Sequence, residues 1–282
     1  MKALFLFNPS SGKKNKNKKI NKIIPSLKAK YDVFDFVITK SKEDFMKRTS
    51  DSCGVYDVLY FAGGDGTFNM VINALGEKEN PPILAAFPTG TVNDMSKNFG
   101  LKKNIKKNYK IIEKNHIKSF DVIKANDTYF GYTAAIGTFS DIPYSTKIKR
   151  KGVFGPLAYY FKALPRIFKT NKITCTYKDK DGEKTFKCAF LIILNSTHIG
   201  GFKINKHSDN NDGLVDVMYT DGGLFNGLLR YILRKRKVQI IKGSEFKITT
   251  NSKDCWDYDG EKGDNGDVSF KVLHSHLKIY SK

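Results

Sequence analysis

Residues 58–69 read Val-Leu-Tyr-Phe-Ala-Gly-Gly-Asp-Gly-Thr-Phe-Asn, an apolar run that ends abruptly in three glycines around one acid. A helical pattern follows, with apolar side chains on one face at Phe68, Val71, Ile72 and Leu75. A buried strand that turns sharply into a helix N-terminus makes a site for anions, and glycines let backbone amides approach a phosphate closely. Asp65 would repel a phosphate unless a divalent metal lay between them. The stretch therefore predicts a strand, a phosphate-binding turn and a helix, with a metal nearby.

The sequence around this turn alternates between strand and helix patterns over the first 118 residues. Strands are predicted at Ala3–Phe7, Val33–Val37, Val55–Ala62 and Ile83–Phe87. Helices are predicted at Lys16–Lys30, Lys42–Ser52, Phe68–Leu75, Asn93–Phe99 and Asn104–Asn115. Such alternation is typical of a mostly parallel sheet with helices on both faces. We therefore expect an α/β domain over residues 1–118, completed by a C-terminal strand near residues 275–282.

From residue 119 the pattern changes to strands joined by turns. The predicted strands are Phe120–Lys124, Tyr129–Ala135, Lys172–Lys178, Thr185–Leu194, Leu214–Thr220, Glu245–Thr250 and Asp267–Leu273. Asp-Gly pairs at 181–182 and 212–213 predict hairpins. Two predicted helices interrupt the strands, at Phe154–Phe168 and near Leu224–Lys237. We therefore expect a second, β-rich domain over residues 119–274.

The composition and charge restrict the class of protein. With 282 residues, of which 40% are hydrophobic, the chain can form one large domain or two ordinary ones with real cores. A net charge of +21 favours anionic partners such as nucleotides, nucleic acid or an anionic membrane surface. Lysine supplies almost all of this charge, and a codon bias typical of AT-rich genomes would account for about half of the excess.

The cysteines and the apolar runs indicate a cytoplasmic protein. The four cysteines are far apart without a CxxC pair, which argues against a zinc site and favours reduced thiols. We find no signal-peptide pattern at the start of the chain. The longest clean apolar run, Ala189–Leu194, is far too short to span a bilayer, so that any membrane contact is expected to be peripheral.

Three predicted strands of the first domain end in loops that contain glycine and polar side chains, at residues 8–12, 63–67 and 88–94. In an open α/β sheet, ligands bind beyond the carboxyl ends of the strands, so these loops together predict a nucleotide site. The P-loop motif GxxxxGK[ST] is absent. The dinucleotide fingerprint is incomplete, because Asn69 stands where its last glycine would be.

Five motifs, in family order, make the chain resemble the diacylglycerol kinase catalytic-domain family, and in particular its soluble bacterial lipid kinases. They are Asn8–Gly12, Gly63–Thr67, Pro88–Asp94, Asp212-Gly213-Leu214 and Asp259-Gly260-Glu261. The Gly-Gly-Asp-Gly-Thr motif alone is also similar to NAD kinases and phosphofructokinases, and the motifs at 88–94 and 259–261 separate the chain from both. One position departs from the family, because Met70 stands where the family usually has a glutamate.

The resemblance implies a fold and an activity. The expected fold class is α/β + β: an N-terminal α/β nucleotide-binding domain of the NAD kinase and diacylglycerol kinase type, and a β-rich sandwich domain, with the active site in the interdomain cleft. The implied reaction is ATP- and Mg²⁺-dependent phosphorylation of a lipid hydroxyl, with diacylglycerol giving phosphatidic acid for phospholipid biosynthesis. The alternatives are a kinase for another lipid, a kinase for a soluble substrate such as NAD, and a catalytically silent lipid-binding regulator, which Met70 prompts.

The resemblance also assigns roles to residues. Glu261 matches the proton acceptor, although by itself it would read as an acid in a glycine-rich hairpin. Asp65 and Asp94 are the other two predicted catalytic acids, and they can carry Mg²⁺ or its bound waters. A structural Mg²⁺ is implied at the Asp212 side chain with the carbonyls of Asp209 and Leu214, and a plain Asp-Gly turn is the equal alternative. The implied ATP contacts are Asn8, Pro9, Ser10, Ser11, Gly12, Thr39, Gly63, Gly64, Asp65, Gly66, Thr67, Phe68, Asn69, Thr89, Gly90, Thr91 and Asn93.

The expected partners are ATP and a lipid substrate at an anionic membrane surface. The predicted docking element is the basic segment Arg230–Lys237, which adjoins an apolar helical stripe. The aromatic helix Leu157–Phe168 is either core or the wall of a lipid groove. Nucleic acid is not an expected partner, because no helix-turn-helix, RRM or zinc-finger pattern is present. The oligomeric state stays open, a homodimer included.

Overall fold

A computed structural model of the chain describes residues 1–8, 14–137, 172–199, 202–203, 205, 208–219 and 238–282. These residues form two compact units, Met1–Val122 with Ser275–Lys282, and Ile123–His274. Several predicted features lie outside the described residues: the ATP contacts Pro9, Ser10, Ser11 and Gly12, the aromatic helix and the basic docking segment.

The described residues contain six helices and eighteen strands. The helices are α1 (Lys14–Asn21), α2 (Ile24–Lys28), α3 (Lys42–Asp51), α4 (Asp65–Leu75), α5 (Asp94–Asn98) and α6 (Ile105–Glu113). The first nine strands are β1 (Lys2–Phe7), β2 (Val33–Ile38), β3 (Val58–Gly63), β4 (Ile83–Pro88), β5 (Ile117–Ala125), β6 (Thr128–Phe130), β7 (Thr133–Gly137), β8 (Ile173–Asp179) and β9 (Gly182–Cys188). The others are β10 (Phe190–Leu194), β11 (His198–Ile199), β12 (Phe202–Lys203), β13 (Val215–Tyr219), β14 (Gln239–Gly243), β15 (Glu245–Thr250), β16 (Cys255–Tyr258), β17 (Glu261–Asn265) and β18 (Val268–Tyr280).

The first unit is built on parallel strands in the order β2-β1-β3-β4, which confirms the predicted parallel sheet. The C-terminal end of β18 joins this sheet in parallel beside β4, where Ile279 pairs with Leu84. The chain leaves β1 toward β2 on one side and returns to β3 on the other. This reversal is the position at which doubly wound sheets bind ligands, beyond the carboxyl ends of the strands.

Helices cover both faces of this sheet, because alternate side chains of each strand point in opposite directions. One face is a core of Phe5, Tyr60 and Phe87 with apolar side chains from α2 and α6. On the opposite face the ring of Phe61 packs edge-on against Phe68 of α4 at 5.3 Å between centroids. The near-continuous apolar sequence of β1, β3 and β4 follows from burial on both sides.

The predicted helix Lys16–Lys30 is wrong in one respect, because it breaks into α1 and α2. Pro25 occupies the first turn of α2, where its missing N–H costs nothing. In a continuous helix the same proline would remove an internal hydrogen bond and clash with the preceding turn. The break therefore lies directly before the proline, and Ile23 caps the new helix.

The second unit contains an antiparallel sheet in the order β14-β13-β10-β7-β16-β17. Strands β8, β9, β15 and the first part of β18 also pair antiparallel to one another. Side chains from both groups of strands share one core, which includes Trp256, Tyr258 and Phe270. The prediction of a β-rich second domain is confirmed.

Several details of this unit differ from the prediction. The predicted strand Thr185–Leu194 divides at Ala189, because β9 pairs with β8 whereas β10 pairs with β7 and β13. The Asp-Gly pair at 181–182 does close the hairpin between β8 and β9. The hairpin predicted at 212–213 is wrong, because this segment leads into β13, whose partners are β10 and β14. Strands β11, β12, β14, β16 and β17 escaped prediction.

Candidate active site

The turn between β3 and α4 places the glycine motif at the carboxyl end of the sheet. Gly63 ends β3, Gly64 is the N-cap of α4, and the helix begins at Asp65. The first bond across the helical turn runs from the Phe68 N–H to the Gly64 carbonyl at 3.0 Å. The amides before it lack an intrahelical acceptor by helix geometry, and with the helix dipole they favour an anion.

The loop after β4 packs directly on this turn. The Thr89 N–H donates to the Gly63 carbonyl at 2.8 Å. A Cβ added at Gly90 would lie 2.5 Å from the Gly64 Cα, so the two loops touch backbone to backbone. Asn93 adopts a left-handed φ of 58°, and its amide group accepts from the Gly90 N–H and donates to the Gly90 carbonyl, both at 2.9 Å. The two glycine loops therefore form one rigid structure.

Replacing Gly90 by alanine is expected to force the two glycine loops apart, because the new Cβ meets backbone atoms that cannot rotate away. We expect ATP affinity to fall by about tenfold or more and unfolding free energy to fall by about 1–3 kcal/mol. ATP titration calorimetry and urea unfolding measure the two effects. The control is Gly54→Ala, where the space is open and only the left-handed φ of +70° is strained. Loss of ATP affinity in the control as well would contradict the loop-contact explanation.

Asp65 joins the two loops through its side chain. Its Oδ2 accepts from the Asn93 N–H at 2.8 Å and its Oδ1 accepts from the Met95 N–H at 3.1 Å. The carboxylate therefore caps the start of α5 while belonging to the first turn of α4. Burial raises the pKa of Asp65, the charge of Asp94 adds to the rise, and the two backbone N–H donors oppose it.

Asp94 lies beside Asp65 at the first position of α5 and is only 2% exposed. Its Oδ1 accepts from the Lys97 ammonium at 2.9 Å. Mg²⁺ at phosphate sites commonly takes one or two carboxylates, substrate oxygens and several waters, and carboxylate oxygens retain further lone pairs. The pair Asp65 and Asp94 fits this type of ligand set. Among the described residues, no group of three or more acidic, histidine or cysteine side chains is arranged to hold a metal by itself.

Two lysines at this edge, Lys97 and Lys103, were not predicted as site residues. Lys97 forms the ion pair with Asp94, and the Lys103 ammonium donates to the Thr91 carbonyl. Desolvation lowers the pKa of Lys103, and the charge of Lys97 adds to this. The position of Lys97 three residues after Asp94 in a helix was the available signal. Both ammonium groups place positive charge beside the glycine loops.

Of four further predicted ATP contacts in the first unit, two lie at the end of β1 and two face the protein interior. Asn8 is half-buried at the end of β1. Thr39 is held beside that end, because its N–H donates to the Phe7 carbonyl at 3.0 Å. Phe68 and Asn69 instead face the protein interior. The Phe68 ring packs against Phe61, Phe99 and Phe120, and the Asn69 Oδ1 accepts from Asn73 Nδ2 at 3.1 Å.

Glu261 belongs to the second unit, at the first position of β17. Its partner across the hairpin is Tyr258, so that Asp259 and Gly260 are the two loop residues. Their φ angles of 55° and 89° are those of a type I′ turn, the favoured connection for a tight hairpin. The Glu261 side chain is exposed at the end of this turn, and its role as proton acceptor stays a prediction.

The residues of the implied structural metal lie in the loop before β13. Asp212 Oδ1 accepts from the Leu214 N–H at 3.0 Å, and Asp212 Oδ2 lies 3.6 Å from the Lys242 ammonium. Asp209 Oδ1 accepts from the Asn211 N–H at 3.1 Å. The aspartates thus stabilise local turns and one ion pair, and a metal at these residues stays a prediction.

Comparison with known proteins identifies the first unit. Residues 2–125 match the family model described as the diacylglycerol kinase catalytic domain. This stretch contains both glycine loops, Asp65 and Asp94. Residues 2–125 are therefore similar to a diacylglycerol kinase catalytic domain. The resemblance seen in the sequence motifs is thereby confirmed.

Similarity to named proteins extends beyond the catalytic domain. A diacylglycerol kinase of Staphylococcus saprophyticus is 28% identical over 294 residues, covering 99% of this chain and 95% of its own. A diacylglycerol kinase of Staphylococcus aureus is 27% identical over 291 residues, covering 99% and 92%. A crystal structure of a diacylglycerol kinase from Bacillus anthracis superposes with a TM-score of 0.84 at 24% identity, covering 100% and 97%. The two-unit fold is therefore that of these bacterial proteins.

Within the described ranges, no helix combines the length and the apolar character needed to cross a lipid bilayer.

Proposed function

We propose that this protein is an ATP-dependent lipid kinase that transfers the γ-phosphate of ATP to a lipid hydroxyl, with diacylglycerol as the first candidate acceptor. The observation that carries the proposal is the contact between the two glycine loops, fixed by the Asp65 carboxylate, inside a diacylglycerol kinase catalytic domain. The names of the staphylococcal relatives support the same reaction class.

The catalytic domain supplies positioning and charge for this reaction. Phosphoryl transfer depends mainly on holding the triphosphate in place and stabilising its charge. The first-turn amides of α4 face the carboxyl end of the sheet and bind the phosphates, while Lys97 and Lys103 add positive charge. When bound, Mg²⁺ neutralises charge on the phosphate groups, and Asp65 and Asp94 are the residues that would hold the ion or its waters.

Glu261 is proposed as the proton acceptor. The lipid oxygen forms a new bond to the γ-phosphorus as the bond to the ADP oxygen breaks, and the hydroxyl proton passes to the Glu261 carboxylate. An exposed carboxylate on a tight turn suits this task, since it is accessible to a substrate and attached to a fixed backbone. The other proposed contacts are Asn8, Thr39, Thr89, Gly90, Thr91 and Asn93, with Pro9–Gly12 beyond the described residues.

A kinase whose acceptor is a lipid acts at a membrane surface. A chain of net charge +21 is attracted to anionic lipids, which supports peripheral association with a cytoplasmic leaflet. The proposed docking segment, Arg230–Lys237, lies outside the described residues. A homodimer stays a prediction.

Transfer of radiolabel from ATP to a panel of lipids in mixed micelles tests the function. We expect label in one lipid class, with diacylglycerol as the leading acceptor, and none when Mg²⁺ is omitted. Label in NAD without micelles would instead support a soluble-substrate kinase. Vesicle binding without ATP consumption would support a silent lipid-binding regulator, the alternative prompted by the half-buried Met70 of α4.

A further inference from the structure

The turn before Glu261 is attached to the rest of its unit by a buried carboxylate. Asp259 Oδ2 accepts from the Gly131 N–H at 2.8 Å, and Oδ1 accepts from the N–H groups of Tyr132 and Thr133, both at 3.0 Å. In the other direction, the Asp259 N–H donates to the Thr133 carbonyl at 2.9 Å. These four hydrogen bonds tie the hairpin loop to the connection between β6 and β7.

The second loop residue is held as well. The Gly260 N–H donates to Asp257 Oδ1 at 2.9 Å, within the same hairpin. Asp257 is itself 8% exposed, and the pairing of Tyr258 with Glu261 closes the turn. Each backbone N–H between β16 and Glu261 is therefore engaged, so the backbone that leads to Glu261 is held in place.

Local turn chemistry does not require this arrangement. A type I′ turn needs residues that tolerate positive φ, and Asn-Gly would serve as well as Asp-Gly. Turn aspartates in hairpins are normally exposed, whereas Asp259 is 4% exposed. Burying a carboxylate is unfavourable unless it is fully hydrogen-bonded, and here three N–H donors meet that requirement. A carboxylate is needed for the tertiary attachment, because a single amide oxygen offers one atom where two are used.

We propose that Asp259 is a positioning residue for phosphoryl transfer. It holds the turn against the β6–β7 connection, and this gives the Glu261 carboxylate one orientation toward the lipid hydroxyl. Asp259 acts through Glu261, since its own oxygens are occupied by Gly131, Tyr132 and Thr133. The inference rests on the proposed function and deepens it, because it adds a residue whose effect must pass through the proton acceptor.

The test variant is Asp259→Asn, which keeps a favoured turn sequence but removes one acceptor atom. We expect kcat for lipid phosphorylation to fall about tenfold or more, with KM for ATP changed by less than about twofold, because misorientation of a base affects the chemical step. The matched control is Asp179→Asn in another hairpin, where the amide keeps one oxygen for the Asp181 and Gly182 N–H groups and loses the oxygen that accepts from the Tyr177 hydroxyl. The control is expected to keep the wild-type kcat.

A double-mutant cycle separates positioning from general damage. In a Glu261→Gln background, Asp259→Asn should cause no further loss of kcat, because the group that it positions no longer accepts a proton. Amide hydrogen exchange supplies a readout independent of activity: protection at residues 131–133 is expected in the wild type and reduced in Asp259→Asn. If Asp259→Asn does not fold, Asp257→Ala removes the acceptor of the Gly260 N–H at the other end of the same turn and takes its place in the cycle.

The outcomes distinguish the two proposals. Unchanged kcat in Asp259→Asn, with a large loss in Glu261→Gln, overturns the positioning role and leaves the proposed function standing. Additive losses in the double variant, or unprotected amides at 131–133 in the wild type, also overturn it. Wild-type protein that phosphorylates no lipid overturns the proposed function and this inference with it.

Discussion

Replacing Glu261 by glutamine is expected to lower kcat for lipid phosphorylation by about 10²–10⁴-fold, the range by which positioned general bases accelerate reactions. Glutamine preserves the size of the side chain but cannot take the hydroxyl proton. The side chain is exposed and makes up no part of the core, so the unfolding free energy should change by less than about 0.5 kcal/mol. Steady-state transfer of label from ATP to diacylglycerol in mixed micelles measures the loss.

The matched control for this change is Glu183→Gln, an exposed glutamate near the start of another strand, β9, in the same unit. It removes one negative charge from a hairpin that also reads Asp-Gly-Glu, at residues 181–183, and leaves residues 259–261 unchanged. We expect wild-type kcat in the control. Full activity in Glu261→Gln would remove Glu261 from the mechanism, even if the protein still phosphorylated lipid.

Replacing Asp65 by asparagine is expected to lower kcat/KM for ATP by about 10²-fold or more, since this half-buried acid fixes the two glycine loops and is the proposed support for the metal. Asparagine has one side-chain oxygen where aspartate has two. Either the Asn93 N–H or the Met95 N–H therefore faces an NH₂ group. Losing such a bond costs about 1–3 kcal/mol of unfolding free energy, and removal of a buried charge offsets part of it. Calorimetric ATP titration and urea unfolding report the two effects.

The stability of the wild type relative to Asp65→Asn is expected to change with pH in a definite direction. Burial raises the pKa of Asp65 above its ordinary value of 3.8, so the folded protein binds this proton more tightly than the unfolded chain. The wild type therefore loses stability as the pH rises through the window between the unfolded and folded pKa values, whereas Asp65→Asn has no such dependence. The stability advantage of the wild type over the variant should be largest in acid and should shrink as the pH rises.

Asp179→Asn is a control for which the stability difference is expected to change with pH in the opposite direction. A hydrogen bond from Tyr177, with two backbone N–H donors, lowers the pKa of Asp179. The wild-type advantage over that variant should be present above the ordinary pKa and should disappear as the pH falls through the lowered value. Urea unfolding of both variants over a pH series is the measurement. An Asp65 difference that grew with pH would show that the two N–H donors, and not burial, dominate that carboxyl.

The sequence predicted the first unit well because its signals are local. The apolar runs of β1, β3 and β4 and the three glycines before α4 each fix a structure within about ten residues. Pro25 shows where such a reading fails, since a helical pattern continues across a residue that breaks the helix. The proline was visible in the sequence and was the signal that should have divided the helix.

The proposed site residues of the second unit could not be predicted from local sequence signals. Glu261 could be singled out only through resemblance to a family, because an acid after Asp-Gly is also an ordinary hairpin residue. Asp259 was missed, since its partners at Gly131, Tyr132 and Thr133 lie more than a hundred residues earlier in the chain. The Asp-Gly pair at 212–213 misled for the same reason: a turn sequence states how the backbone bends and not which strands it joins.

The return of the last eight residues to the first unit has a consequence for biosynthesis. Ile279 pairs with Leu84 beside β4, and Tyr280 fills a place in the core with Phe87 and Ile105. During translation, residues 1–122 emerge long before this strand exists, with one edge of the sheet open. The first unit therefore stays incomplete until the ribosome has made the rest of the chain. A truncated protein that ends at residue 122 should be prone to aggregate even though it contains every glycine of the two loops.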